Sequence, residues 1–398
     1  MAALRYGIVT FKDRPVGTLR ETPGGGSVFA YDDDVAQPIA CALPLTRREH
    51  DYPFGLHPFF AHLAPEGWLR DRQAAYADID AEDDFGILLA YGADCVGAVG
   101  IRDPADSHQT AAVKPIRDAL DAAVIRPERT ISGVQAKVLC TGNGRGGFRP
   151  AAQGEPAPFI AKYPSPALAD MAANEVTSLE LSRLLLGPAE VVSAQLAAVD
   201  GIDGLACVVT RFDRSGPTSN EKLRCEDFAQ VLAQPAGRDH RGKYQADYAA
   251  LGRALAFSEA RLLDARRIFK RLAAYVLTGN VDCHLKNWSL VETPEGLRLS
   301  PAYDILNGYI YGEVGYTTRF GLLVGETALQ WEAYDRAQLL TIAGEIGLTR
   351  KAAEGALTEM ARRHTAFFQR LERGLRLTEE RSWSYRTTAR AAWERLYG

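Results

Sequence analysis

The chain has 398 residues, 46% hydrophobic and 24% charged, with a formal net charge of −4. That length suits two or three domains, and the charge supplies no general basic field for nucleic acid, so DNA could be met only through a local patch or a partner protein. Its six cysteines form no CxxC pair and no zinc spacing, no apolar h-region opens the chain and no apolar run approaches a membrane span, which predicts a cytoplasmic protein without membrane contact.

Residues 1–103 read as an α+β module. Strand-like runs at 6–11 and 15–19 flank the turn Lys12-Asp13-Arg14, and a third run follows Gly24-Gly25-Gly26 at 27–31. A helix is predicted over about 66–77. Asp80 is the expected cap of the next helix, which carries Phe85, Leu88 and Leu89 on one face and stops at Gly92. A closing strand is expected at 95–101. The mixture of Pro, Asp, Ser and Ala over 104–125 reads as a linker.

Residues 126–213 read as strands around one helix. Strands are expected at 134–140, 159–163, 191–198 and 205–212, with turns at 141–147 and Asp200-Gly201. Leu168, Ala172, Val176 and Leu179 are spaced four, four and three apart, which is one face of a helix reaching about Leu186 and stopped by Gly187-Pro188. Residues 214–398 are mainly helical, with helices expected at 246–257, 260–278, 328–346, 350–373 and 378–396 and a hairpin at 288–300. The order predicts an α+β fold with the outline of a two-lobed protein kinase: a strand-rich N-lobe preceded by an additional α+β subdomain, then a helical C-lobe.

The chemistry concentrates in Gly279-Asn280-Val281-Asp282-Cys283-His284-Leu285-Lys286-Asn287, where a long predicted helix gives way to the hairpin. Phosphoryl transfer to a hydroxyl needs a carboxylate to take the proton, an amide oxygen on Mg²⁺ and a second carboxylate bridging Mg²⁺ to the nucleotide. Asp282 and Asn287 have the D-x-x-x-x-N spacing of a kinase catalytic loop, Lys286 can neutralise the transferring phosphate, and the hairpin then delivers Asp304. His284 is expected to brace this loop. A lone D-x-x-x-x-N recurs by chance as a cap and a turn residue; the hairpin with its aspartate, and a lysine upstream, favour the kinase reading.

That lysine is Lys162, inside the apolar run Phe159-Ile160-Ala161-Lys162, where an ammonium needs an anion such as ATP phosphate or Glu175. The alternatives are an edge-strand lysine reaching water and, for Glu175, an exposed helix charge; Asn174 is an equal neighbour. The stretch Thr130-Ile131-Ser132-Gly133-Val134-Gln135-Ala136-Lys137 is the candidate phosphate loop, through the backbone of Ser132, Gly133, Val134 and Gln135 and the Lys137 side chain. Gly142–147 is better read as a turn. Thr210, Arg211 and Phe212 stand where a kinase hinge offers its backbone to adenine, or are an ordinary strand end. His57 and His62 do not have a metal-pair spacing. Arg238, His240, Arg241 and Lys243 read as a solvated loop, or as a patch for phosphate or an acidic partner.

The stretches ISGVQAK (131–137), FIAKYP (159–164), NEVTSLELSRLL (174–185), VVTRFDR (208–214), EDFAQVL (226–232), GNVDCHLKN (279–287) and LSPAYDIL (299–306) resemble the HipA-type toxin serine/threonine protein kinases. So do VGTLRE (16–21), PFFAHLAPEG (58–67) and DDFGILLAYGADCVGAV (83–99), so the resemblance spans nearly the whole chain. It implies a catalytic Asp282, Mg²⁺ ligands Asn287 and Asp304, an ATP lysine Lys162 and an adenine hinge at Thr210 to Phe212. It also implies autophosphorylation of the phosphate loop, for which Thr130 and Ser132 are the available hydroxyls. A helix-turn-helix antitoxin as partner, DNA contact through that antitoxin alone, and a protein substrate in translation, such as an aminoacyl-tRNA synthetase, are implied as well. The family's G-A-Q-E-K is Gly133-Val134-Gln135-Ala136-Lys137 here, without the acidic residue. The competing readings are a small-molecule phosphotransferase, which would lack the N-terminal module, and a catalytically inactive co-repressor, which would not need the intact catalytic set.

Overall fold

The computed structural model describes residues 4–104, 118–125, 129–131, 135–216, 219 and 221–398. The chain forms two compact units: residues 1–163, 197–206 and 211–240, and residues 164–196, 207–210 and 241–398. A separate module over 1–103 was expected; this division keeps it in one unit with the strands that follow.

In the first unit, β1 (Tyr6–Phe11) and β2 (Arg14–Glu21) form a hairpin. Its turn residues Lys12 and Asp13 have φ of 50° and 63°, the left-handed pair that a two-residue hairpin turn requires. β3 (Ser27–Tyr31), β4 (Glu49–Tyr52) and β5 (Val99–Arg102) complete an antiparallel sheet of order β4-β3-β2-β1-β5. The side chains of Val9, Leu19 and Phe29 on this sheet pack with Phe60 and Leu88 from the helices Pro58–Ala61 and Asp84–Tyr91. Asp83, not Asp80, caps the latter helix, accepting from the Gly86 amide at 2.9 Å. Asp80 instead closes the preceding turn, its side chain accepting from the Glu82 amide. His57 caps the helix Pro58–Ala61 through Nδ1, and burial lowers its imidazole pKa to about 4. Residues expected as linker include the helix Ala119–Ile125; residues 105–117 lie outside those described.

The strands β6 (Lys137–Gly142), β7 (Phe148–Pro150), β8 (Phe159–Lys162), β9 (Ala194–Val199) and β10 (Ile202–Thr210) close into a barrel of order β10-β8-β6-β7-β9. The glycine-rich turn before β7 is organised by Asn143, whose Oδ1 accepts from the amides of Arg145 and Gly147 at 2.9 Å each. That settles it as a hairpin turn built on a side-chain cap.

The first unit contains a buried charge network. Asp213 accepts from Arg211 at 2.8 and 2.7 Å, from Arg214 at 2.8 Å and from the Gly97 amide at 2.8 Å. Asp94 pairs with Arg214 at 3.0 Å, with Lys222 at 3.1 Å and with Arg129 at 3.3 Å. Burial alone would raise the Asp213 pKa, yet Arg211 and Arg214 hold it far below the usual carboxylate range.

The second unit is helical. It contains Met171–Leu186, Tyr248–Ala254, Arg261–Thr278, Arg336–Glu345, Arg350–Ala361, His364–Glu372 and Glu379–Tyr397. One long helix was expected over 350–373; the chain breaks at Arg362 and Arg363 into two. The helix expected from 328 begins only at Arg336, capped by Asp335, because Thr327–Gln330 pairs with Arg319–Val324 as a hairpin. No helix of the described residues is long and apolar enough to cross a membrane.

Candidate active site

The helix Arg261–Thr278 ends at Gly279, whose φ of 68° turns the chain sharply while its amide returns to Tyr275 O and Val276 O. A Cβ at this position would stand 2.3 Å from Asn307 Oδ1. The loop that follows is anchored from below by Val281, Cys283 and Leu285, all fully buried, and by the Gly321 amide donating to Val281 O at 2.9 Å. Above it a 3-10 turn, Leu285–Asn287, brings the chain back. Asn287 Nδ2 donates to Asp282 O, and Trp288 Nε1 donates to Cys283 O at 3.1 Å. The D-x-x-x-x-N spacing thus becomes a closed loop. With Nδ2 so engaged, Oδ1 is the atom Asn287 has for a cation.

Asp282 has a part-exposed side chain. Its Oδ1 accepts from Tyr244 Oη at 3.0 Å and lies 3.8 Å from His284 Nε2. The rings of Tyr244 and His284 meet edge to face at 4.8 Å. His284, expected to brace the loop, is buried beside Asp282 and Tyr244, and Tyr244 is an addition. The patch read as a solvated loop is in part buried: Lys243 is 6% exposed. The side chains of residues 238–240 are not described.

The hairpin Ser289–Thr293 and Gly296–Leu299 runs from the loop to Asp304, with Leu290 opposite Leu299. Asp264 fixes its return strand: the buried carboxylate accepts from Ser258 Oγ, Arg267, Arg298 and the Leu299 amide. Tyr303 Oη accepts from Ser289 Oγ at 2.6 Å and donates to Lys286 O at 2.7 Å, tying the residue before Asp304 to the residue before Asn287. Asp304 itself has a φ of 57°, a conformation that L-residues adopt at a cost and that Asp and Asn tolerate better than most. Burial raises the Tyr316 phenol to about 12, and the negative charges of Asp282, Asp304 and Glu175 add to the shift.

Asn174 and Glu175, equal neighbours in the sequence, have different surroundings. Asn174 accepts from the Asn307 amide at 3.1 Å and donates to Asn307 O at 3.1 Å, locking the segment after Asp304. Ser178 joins this network and reaches Tyr385 at 2.8 Å. Glu175, 2% exposed, is the one whose charge reaches Tyr316.

In the first unit Lys162 and Lys137 are directly opposite each other on β8 and β6, 5% and 9% exposed. Two ammonium groups on facing positions repel, so this face favours an anion. Gln135 Nε2 donates to Tyr163 O at 3.0 Å. Ser132, Gly133 and Val134 lie outside the described residues. Thr130 is 1% exposed. Of the hinge stretch, the Thr210 amide is taken by Ser193 O at 2.9 Å and the Arg211 amide by Pro158 O at 2.8 Å, and the Arg211 guanidinium is committed to Asp213. These two N–H groups are therefore used by the protein's own carbonyls.

The donors near the loop are oxygens: the Asp304 carboxylate and the Asn287 amide. Such a hard pair suits Mg²⁺, which commonly takes one or two protein oxygens and completes its shell with phosphate and water. Among the described residues no group of three or more His, Cys, Asp and Glu is arranged to hold a metal on its own.

The whole chain has relatives. Residues 7–102 match the family model described as the HipA N-terminal domain, and residues 129–367 match that of the HipA-like C-terminal domain. "Putative kinase Y4dM" of Sinorhizobium fredii is 29% identical over 393 residues, covering 91% of this chain and 90% of that protein. Y4mE of the same organism, named in the same way, is 24% identical over 339 residues, covering 77% and 78%. A solved structure of HipA from Shewanella oneidensis MR-1, in a toxin–antitoxin complex with HipB and operator DNA, superposes with a TM-score of 0.73 at 19% identity, covering 98% of this chain and 97% of that one. The α+β fold is that of HipA, and by its sequence over more than half its length the chain belongs to the HipA family.

Proposed function

We propose that the protein is an ATP- and Mg²⁺-dependent serine/threonine protein kinase of the HipA type, partnered by an antitoxin and acting on a component of translation. The observation that carries this reading is the closed loop in which Asn287 is tied back to Asp282, joined through Tyr303 to the segment that presents Asp304. Bound Mg-ATP supplies the phosphoryl group. Asp282 orients the acceptor hydroxyl and takes its proton. Lys286 offsets charge on the transferring group, and His284 braces the loop. Asn287 and Asp304 hold the metal through oxygen. Lys162, Lys137 and the loop residues Ser132, Gly133, Val134 and Gln135 grip the phosphates, and Glu175 is the acidic residue assigned to nucleotide binding. Thr210, Arg211 and Phe212 serve adenine through atoms other than the two engaged amides.

The antitoxin partner is supported by the HipB in the complex of the Shewanella relative; DNA would be met through it. Autophosphorylation at Thr130 or Ser132 would switch the kinase off. The test is transfer of labelled phosphate from Mg-ATP in wild type, Asp282→Ala and Asp304→Ala. Both variants are expected to lose transfer, Asp282→Ala while keeping the wild-type melting midpoint and Asp304→Ala with a lowered one, because alanine tolerates a φ of 57° less well than aspartate. Undiminished transfer in either would reject the site. Phosphoproteomics after brief expression, wild type against Asp282→Asn, identifies the substrate; a phosphorylated small-molecule pool with no protein phosphosite would reject the protein-kinase reading.

A further inference from the structure

Against the loop around Asp282 stands a residue that the functional reading does not use. Tyr244 ends the turn Arg238–Tyr244 and is 37% exposed. Its hydroxyl donates to Asp282 Oδ1 at 3.0 Å. The ring is held on two sides: His284 packs against it edge to face at 4.8 Å, and the Lys243 ammonium lies 5.5 Å from the ring centre. His284 Nε2, at 3.8 Å from the same Oδ1, is beyond hydrogen-bond length. A carboxylate on a part-exposed loop can rotate about its last torsion with little resistance. A hydrogen bond to one of its oxygens removes that freedom and leaves the other oxygen facing a fixed direction. Main-chain fixation of the loop, through Asn287 to Asp282 O, does not restrain that torsion.

We propose that Tyr244 is a positioning residue for phosphoryl transfer: its hydroxyl holds Asp282 Oδ1, so that Oδ2 is the oxygen that meets the acceptor hydroxyl. This rests on Asp282 acting as the base in the proposed kinase reaction. It deepens that reading by assigning the two carboxylate oxygens to different tasks. The phenol proton stays on Tyr244 throughout, and the acceptor's proton goes to Oδ2.

Two measurements test this on the full-length protein. The first needs no nucleotide. With fluorotyrosine placed at position 244, the ¹⁹F resonance is expected to move in Asp282→Asn, because the acceptor changes from a carboxylate to an amide. An unmoved resonance overturns the proposal, since the contact is then absent in solution. The second is Tyr244→Phe, which keeps the ring on His284 and removes only the hydroxyl. Groups that orient metal ligands cost on the order of 10–100-fold in activity when lost, and kcat is expected to fall by a comparable factor here. The KM for ATP and the melting midpoint stay unchanged. A fall in stability or in nucleotide affinity with kcat intact would mark Tyr244 as structural and overturn the proposal. If Asp282→Asn still transfers phosphate, the base reading fails and the proposal with it. The ¹⁹F shift would in that case still report the contact, which keeps the two failures apart.

Discussion

At Gly279 the left-handed backbone and the 2.3 Å approach of Asn307 Oδ1 to any added Cβ coincide. Gly279→Ala is expected to cost about 1–3 kcal/mol, read as a lower midpoint in urea, and to reduce transfer because Asp282 lies three residues on. Asp304 gives the opposite case. Its φ of 57° is tolerated by Asn, so Asp304→Asn should change stability by no more than about 0.5 kcal/mol. The same variant should lower transfer by roughly 100-fold or more, as expected when a charge-stabilising group is removed. A matched loss of stability would show that the carboxylate is there for folding. The sequence made Asp282, Asn287 and Asp304 legible because their spacing is local and the hairpin between them is short. Tyr244 and Tyr316 were not legible. Tyr244 comes 38 residues before the Asp282 it bonds and Tyr316 12 residues after Asp304, whose charge it feels, and a tyrosine in a loop has no periodicity to give it away. The one available signal was the basic run at 238–243, which was read as solvated.

At the scale of elements, the return strand of the hairpin depends on Asp264. Burial alone would raise its carboxyl pKa, but the bonds from Arg298, Ser258, the Leu299 amide and Arg267 pull it well below the usual range. A carboxyl depressed in the folded state adds stability above its unfolded pKa of about 3.9, and that stability is lost as pH falls toward the folded value. Asp264→Asn should therefore cost about 3–5 kcal/mol at pH 7. The gap from wild type should narrow progressively below about pH 4; a gap that stays constant across that range would show that the charge is not what matters. Helix ends were the least legible part of the chain. Asp80 and Asp83 are both plausible caps, and the choice falls to Asp83 because Arg5, just before the first strand, reaches its carboxylate. The stretch 319–330 is apolar enough for helix or strand. Gly325, at a φ of 61°, closes it as a hairpin.

At the scale of the whole molecule, the first unit is assembled from separated segments, and charge joins them. Asp213 meets Gly97, Glu226 accepts from the Cys41 amide at 2.8 Å, and Gln230 donates to Phe59 O at 3.0 Å. Such pairings between distant positions leave no local pattern in the sequence. Asp213→Asn leaves Arg211 and Arg214 buried against a neutral group and is expected to cost about 3–5 kcal/mol, seen as faster proteolysis of residues 1–103 in the intact protein. Resistance equal to wild type would count against the network. Gln73, fully buried, has a quieter consequence. Its Nε2 donates to Val124 O at 3.3 Å and to Arg129 O at 2.7 Å, clasping the chain on both sides of residues 126–128, and Thr130 beside it is 1% exposed. A hydroxyl enclosed in this way can be modified only as fast as its surroundings breathe. If the proposed autophosphorylation falls on Thr130 rather than Ser132, phosphate would enter it at saturating ATP at the pace of amide-hydrogen exchange in that stretch. Loosening the clasp with Gln73→Ala would then shorten the time to that modification, making one buried amide the setting of a molecular timer.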